Sequence, residues 1–156
     1  MSNFFNYQTT VQNEWLDHNN HMNDAEYNRV FSQATDAWLA HIGLDVQTIK
    51  DIKYTVFTLE NHITYQKEVP KNETLNVSVQ LIDFDQKRCH VFMNMFNGSN
   101  ELCSTYEVML MGIDVESGRP SAFPDNIIEQ IKNESVKKQD DSLPRELGRQ
   151  IGIKRK

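Results

Sequence analysis

Residues 11–27, VQNEWLDHNNHMNDAEY, crowd the carboxylate of Asp17, the imidazoles of His18 and His21 and the amides of Asn13, Asn19, Asn20 and Asn23 into one short segment without an apolar period. A carboxylate so placed can attack a carbonyl carbon or activate water for that attack. The alternative is structural, because aspartate ahead of a helix commonly bonds loop amides in an Asx-turn. His18 and His21 stand at His-x-x-His spacing, but a loop that offers no third well-spaced ligand makes a poor metal set, and no metal is expected. His21 is expected to orient the loop or meet a ligand, and His18 to be solvated.

The elements on either side must hold that loop. Residues 4–12 are aromatic and β-branched enough for a first strand that delivers Asp17. Asn23-Asp24-Ala25-Glu26 reads as a capping box, with Asn23 at N-cap and Glu26 at N3. The helix behind it carries Tyr27, Val30, Phe31, Ala34, Trp38 and Ile42 at helical spacing, and Gly43 ends it. Tyr27 and Trp38 belong to that core stripe. Ala25, Ala37, Leu39 and Ala40 widen the stripe, so the helix is expected to be surrounded rather than covered on one side. Its positive end would lie beside Asp17, where it can polarise a carbonyl or hold an anion.

Beyond Asp51 the period becomes two. Phe57, Leu59, Ile63 and Tyr65 fall on one side of a strand, and Thr58, Glu60, His62 and Thr64 on the other. Glu60 and His62 either face solvent or line a site, since an unpaired acid and imidazole do not suit an apolar core. Leu75, Val77, Val79 and Leu81 mark a third strand, and Cys89, Val91, Met93 and Met95 a fourth. Asn97-Gly98 is a hairpin signal. Residues 102–113 form a fifth strand, apolar on both faces at 108–111 and therefore expected to be central. A short helix is expected over 126–134. The layout is one domain over residues 1–133 and a charged C-terminal tail over 134–156.

A net charge of −6 argues against nucleic acid and membrane surfaces as partners. Cys89 and Cys103 lie in apolar runs and read as reduced core thiols. With no apolar stretch long enough to span a bilayer and no signal-peptide pattern at the start, the expected location is cytoplasmic.

One strand, a long helix and four antiparallel strands, with Asp17 just ahead of the helix, resemble the α+β hotdog fold, a curved five-stranded antiparallel sheet wrapped around one long central helix. Glu14-Trp15-Leu16-Asp17-His18-Asn19-Asn20-His21-Met22-Asn23 looks like the signature of acyl-CoA thioesterases of the 4-hydroxybenzoyl-CoA thioesterase type, whose catalytic aspartate matches Asp17. Residues 17–44, Thr58-Leu59-Glu60-Asn61-His62 with Tyr65, residues 83–88 and Gly148-Arg149-Gln150-Ile151-Gly152 are similar to betainyl-CoA thioesterases linked to carnitine degradation. That subgroup includes domains fused to carnitine 3-dehydrogenase. Relatives usually carry glycine at Asn20, and asparagine is the replacement that best tolerates a positive φ.

The resemblance implies hydrolysis of a small acyl-CoA such as betainyl-CoA, with Asp17 as general base or nucleophile. It implies substrate contacts from Asn20, His21, Met22, Asn23, Glu60 and His62, although Asn23 is already explained as the cap. Glu60 would supply negative charge to a trimethylammonium, and Trp15 would wall it or pack against the helix. Lys87 and Arg88, otherwise an exposed turn, become phosphate contacts, as does the basic Lys154-Arg155-Lys156. Coenzyme A enters only as part of the substrate, no separate cofactor is expected, and the assembly is a homodimer or dimer of dimers. A hotdog enoyl-CoA hydratase and a non-catalytic acyl-CoA-binding protein are the alternatives.

Overall fold

The structure, a computed structural model, describes residues 3–137 and 143–155. Its strands are β1 (Phe5–Thr10), β2 (Tyr54–Tyr65), β3 (Thr74–Phe84), β4 (Arg88–Phe96) and β5 (Leu102–Asp114). The helices are α1 (Asp24–His41), α2 (Val46–Ile52) and α3 (Asp125–Ser135), with a 3-10 turn at Asn13–Trp15. All strand pairs are antiparallel, in the order β1-β3-β4-β5-β2. The expected α+β sheet and long helix are present.

Helix α1 starts where its cap dictates. Asn23 has extended backbone, and its side chain accepts from the Ala25 amide at 3.2 Å. Glu26 does not close the box; it pairs with Arg29 instead. At the other end Gly43 has φ +105°, its amide bonds the Ala40 carbonyl, and the Leu44 amide reaches the Leu39 carbonyl at 2.7 Å. That is a Schellman stop, which needs the left-handed residue glycine supplies.

One face of α1 is buried: Tyr27, Val30, Phe31, Ala34, Thr35, Trp38 and Leu39. They pack with Val77 and Val79 of β3, Val91, Met93 and Met95 of β4, and Tyr106, Val108 and Leu110 of β5 in a single core. Ala25 and Ala40 are exposed, so the helix is covered on one side and not surrounded within the chain. A methyl group has too little apolar area to demand burial. Trp15, Cys89 and Cys103 are in the core, both cysteines as free thiols.

Three further features bear on the sequence reading of the strands and connections. First, α2 was not anticipated: it is seven residues long, has no fully buried residue though Ile49 packs against the core, and rests on the Asp45 cap, which accepts from the Thr48 amide at 2.7 Å. Second, β5 is an interior strand between β4 and β2, as expected, but it is not buried on both faces: Val108 and Leu110 face the core, while Met109 and Met111 are half-buried on the outer face. Third, a bulge between Thr58 and Glu60 reverses the side-chain parity of β2. Phe57 therefore pairs with Met111 on the outer face and Ile63 with Tyr106 on the inner, instead of sharing one side. Glu60 and His62, paired with Met109 and Glu107, do share the outer face, without Thr58.

Helix α3 runs through the boundary expected between residues 133 and 134, burying Ile127, Ile131 and Glu134. Burial pushes the Glu134 carboxyl up, but bonds from Lys137 and Trp38 outweigh it and hold the acid below its usual range. Part of the expected tail, residues 138–142 and Lys156, lies outside the described residues. Downstream, the Gly148 amide donates to Glu107 Oε1 at 2.7 Å, bringing this stretch to the outer face of β5. Among the described residues no helix is long and apolar enough to cross a membrane.

Candidate active site

The Asp17 loop is a small closed hairpin. Leu16 and Met22 form an antiparallel bridge, the Asp17 amide donates to the His21 carbonyl at 2.8 Å, and the Asn20 amide returns to the Asp17 carbonyl at 3.1 Å. Asn20 sits at φ +61°, the left-handed conformation that asparagine tolerates without a glycine. Two ties fix the loop to the body: the Asn23 amide to the Trp15 carbonyl at 2.9 Å, and the Met22 amide to the Val69 carbonyl at 2.8 Å. A further bridge joins His21 to Pro70.

Within that frame Asp17 Oδ1 accepts from the amides of Asn19 at 2.8 Å and His21 at 3.2 Å. The Asx-turn is therefore real, and it has a chemical consequence. Both bonds favour the charged form and hold the Asp17 carboxyl below the usual aspartate range, so the group is an anion at neutral pH. Both fall on Oδ1; among the described residues Oδ2 receives none. Asp17 lines an open cleft of about 560 Å³ together with His18, His21, Met22, Asn23, Asp24, Tyr27, Tyr65 and Glu68. The N-terminus of α1 enters the same cleft through Asn23 and Asp24, so a carbonyl there meets an anionic oxygen and the positive helix end together.

Of the residues singled out from the sequence, Asp17, His21, Met22 and Asn23 converge on this cleft, with Met22 mostly buried beneath it. Asn20 shapes the loop. His21 Nε2 turns toward Glu68 at 3.5 Å. Glu60 and His62 instead line a second cleft of about 350 Å³ on the outer face, with His90, Glu107 and Arg149. There His90 Nε2 and Glu107 Oε2 stand 2.7 Å apart.

Lys87 and Arg88 sit at the far end of the sheet. Arg88 pairs with Met111 and Tyr65 with Ser104, which separates them by roughly 23 Å along β5 at ~3.3 Å per residue. The Arg88 guanidinium is held by Asp85 Oδ2 in two bonds, at 2.8 and 2.6 Å. Lys154 and Arg155 are exposed. Sequence reasoning did not anticipate the wall at 65–68, whose residues are distant from Asp17 in the chain and are brought to its loop by the ties at Val69 and Pro70, by the Tyr65 hydroxyl on the Asp24 carbonyl and by Glu68 beside His21.

A five-stranded antiparallel sheet packed on one long helix, with a carboxylate just ahead of that helix in an open cleft, is the hotdog arrangement. The chain belongs to the thioesterase-like superfamily, whose model matches residues 11–131. It is similar to a betainyl-CoA thioesterase of Pseudomonas aeruginosa, at 34% identity over 94% of this chain and 93% of that protein. It is also similar to an L-carnitine dehydrogenase/betainyl-CoA thioesterase of a Rhizobium species, at 30% identity over 94% of this chain; the match spans 30% of that larger protein. Among solved structures, a Staphylococcus aureus protein in complex with CoA superposes with a TM-score of 0.93 at 36% identity, covering 99% of this chain and 98% of that one.

Proposed function

We propose that the protein hydrolyses a small acyl-CoA to the free acid and free CoA thiol, with Asp17 acting on the thioester carbonyl either directly or through an activated water. The observation that carries this reading is the asymmetry of a carboxylate that lines the cleft beside the start of α1: Oδ1 is fixed by two amides, and Oδ2 accepts none among the described residues. The helix end would stabilise the negative charge that develops on the carbonyl oxygen. Similarity to the Pseudomonas betainyl-CoA thioesterase makes betainyl-CoA the first substrate to offer. CoA is carried in as part of the substrate, and the chemistry asks for no other cofactor. The two buried thiols, Cys89 and Cys103, suit a reducing cytoplasm.

We place the working unit at a homodimer or larger. Strand β2 is a sheet edge of 12 residues carrying Phe57 at 62% and Leu59 at 50% exposure. A long edge with bare apolar side chains invites pairing with a second copy. That would lay the partner against Tyr65 at the rim of the Asp17 cleft.

Thiol release measured over a panel of acyl-CoAs tests the activity, with betainyl-CoA expected among the best. Intact 3-hydroxyacyl-CoA as product would mean hydration, and binding with no turnover would mean a carrier. Light scattering on the same sample is expected to give at least twice the 18.2 kDa chain mass; a fully active monomer would refute the dimer.

A further inference from the structure

One wall of the Asp17 cleft is not needed for attack on a carbonyl. Tyr65, the last residue of β2, stands edge-on to Tyr27 with ring centroids 5.0 Å apart and planes at 79°. Its hydroxyl donates to the Asp24 carbonyl at 3.2 Å, which fixes the ring, yet the residue is 52% exposed. Three positions on, the Glu68 side chain is 78% exposed, and among the described residues its one ion-pair contact is Oε2 to His21 Nε2 at 3.5 Å. Lys67 also lines the cleft, but its ammonium is bound to Glu101 Oε2 at 2.9 Å, so its charge is already met. The cleft thus combines an anchored aromatic ring, a carboxylate with one weak contact and a neutralised ammonium.

Those are the requirements for a cation that has no N–H to donate. A quaternary ammonium cannot satisfy a hydrogen-bond acceptor; it is recognised by aromatic faces and by negative charge at a distance. We propose that Tyr65 and Glu68 form the subsite that selects an acyl group bearing a quaternary ammonium. This rests on the thioesterase reading above and moves the cation partner from Glu60, which lies in the outer-face cleft, to the Asp17 cleft itself.

The test is the ratio of kcat/KM for betainyl-CoA to kcat/KM for tert-butylacetyl-CoA, its isostere with carbon in place of nitrogen. The ratio cancels general damage to the site. The unaltered enzyme is expected to favour the cation. Tyr65→Leu should cut the ratio by roughly three- to tenfold, the scale of one cation–π contact. The isosteric Glu68→Gln, at an exposed position, should cut it by roughly two- to fivefold. An unaltered ratio in both variants of an enzyme that prefers the cation overturns the subsite and leaves the thioesterase reading standing. A ratio lost in Glu60→Gln but kept in Glu68→Gln moves recognition to the outer cleft and also overturns it. An enzyme that treats the two substrates alike has no cation subsite, and one that releases thiol from no acyl-CoA takes the thioesterase reading down with it.

Discussion

Asp17→Asn lowers turnover on the best acyl-CoA by about 10²–10⁴-fold, the usual cost of losing a general base, and leaves the fold in place. Asparagine keeps the size of the side chain and an Oδ1 acceptor for the amides of Asn19 and His21, so the hairpin from Leu16 to Met22 retains its closing bonds. It removes the negative charge on which both nucleophilic attack and activation of water depend. The pH profile of the unaltered enzyme should agree. Because the two amides lower the Asp17 carboxyl, its charged form persists as pH falls, and the acid-side loss of kcat/KM lies below the ordinary aspartate value. An asparagine variant with full turnover would remove Asp17 from the chemistry. A carboxyl that titrated near neutrality in the free enzyme would contradict its two bonds.

Phe31→Ala destabilises the protein by about 3–5 kcal/mol, the range for emptying a buried aromatic site. Phe31 is 0% exposed at the centre of the buried face of α1, and its ring stacks on Tyr106 of β5 at 4.8 Å with planes only 9° apart. Tyr106 is held in a strand paired on both sides, by β4 and β2, so the walls cannot collapse into the space the ring leaves. For a chain of this length the loss corresponds to a fall in Tm of roughly 6–20 °C. Urea unfolding followed by circular dichroism measures it. A change below about 1 kcal/mol would mean that α1 does not bear on β5 through this ring. The contact matters for the proposed function because α1 brings its N-terminus to the cleft that Asp17 lines; a helix free to shift carries its positive end away from Asp17.

The sequence by itself determined whatever is encoded within a turn or a strand. Asn23 and Gly43 mark the ends of α1 because an uncapped amide and a left-handed φ are local problems with local solutions. Alternation from Leu75 to Leu81 and from Cys89 to Met95 set the core face of β3 and β4, since side-chain direction follows the backbone period. The place of Asp17 beside the start of α1 was legible from the cap that follows it, and its match to a family pattern made it the candidate for the chemistry. Other parts of the molecule depend on partners far away in the chain. One extra residue at the β2 bulge reverses parity, so Phe57 and Ile63 part company although their spacing says they should not. The wall formed by Tyr65 and Glu68 reaches the Asp17 loop through long-range contacts: the Met22 amide on the Val69 carbonyl, the bridge from His21 to Pro70 and the Tyr65 hydroxyl on the Asp24 carbonyl. Glu60 and His62 stand at an outer cleft because register pairs them with Met109 and Glu107, and Glu107 also holds the amide of Gly148. A local pattern fixes which way a side chain points; the long-range ladder of hydrogen bonds decides what it meets there.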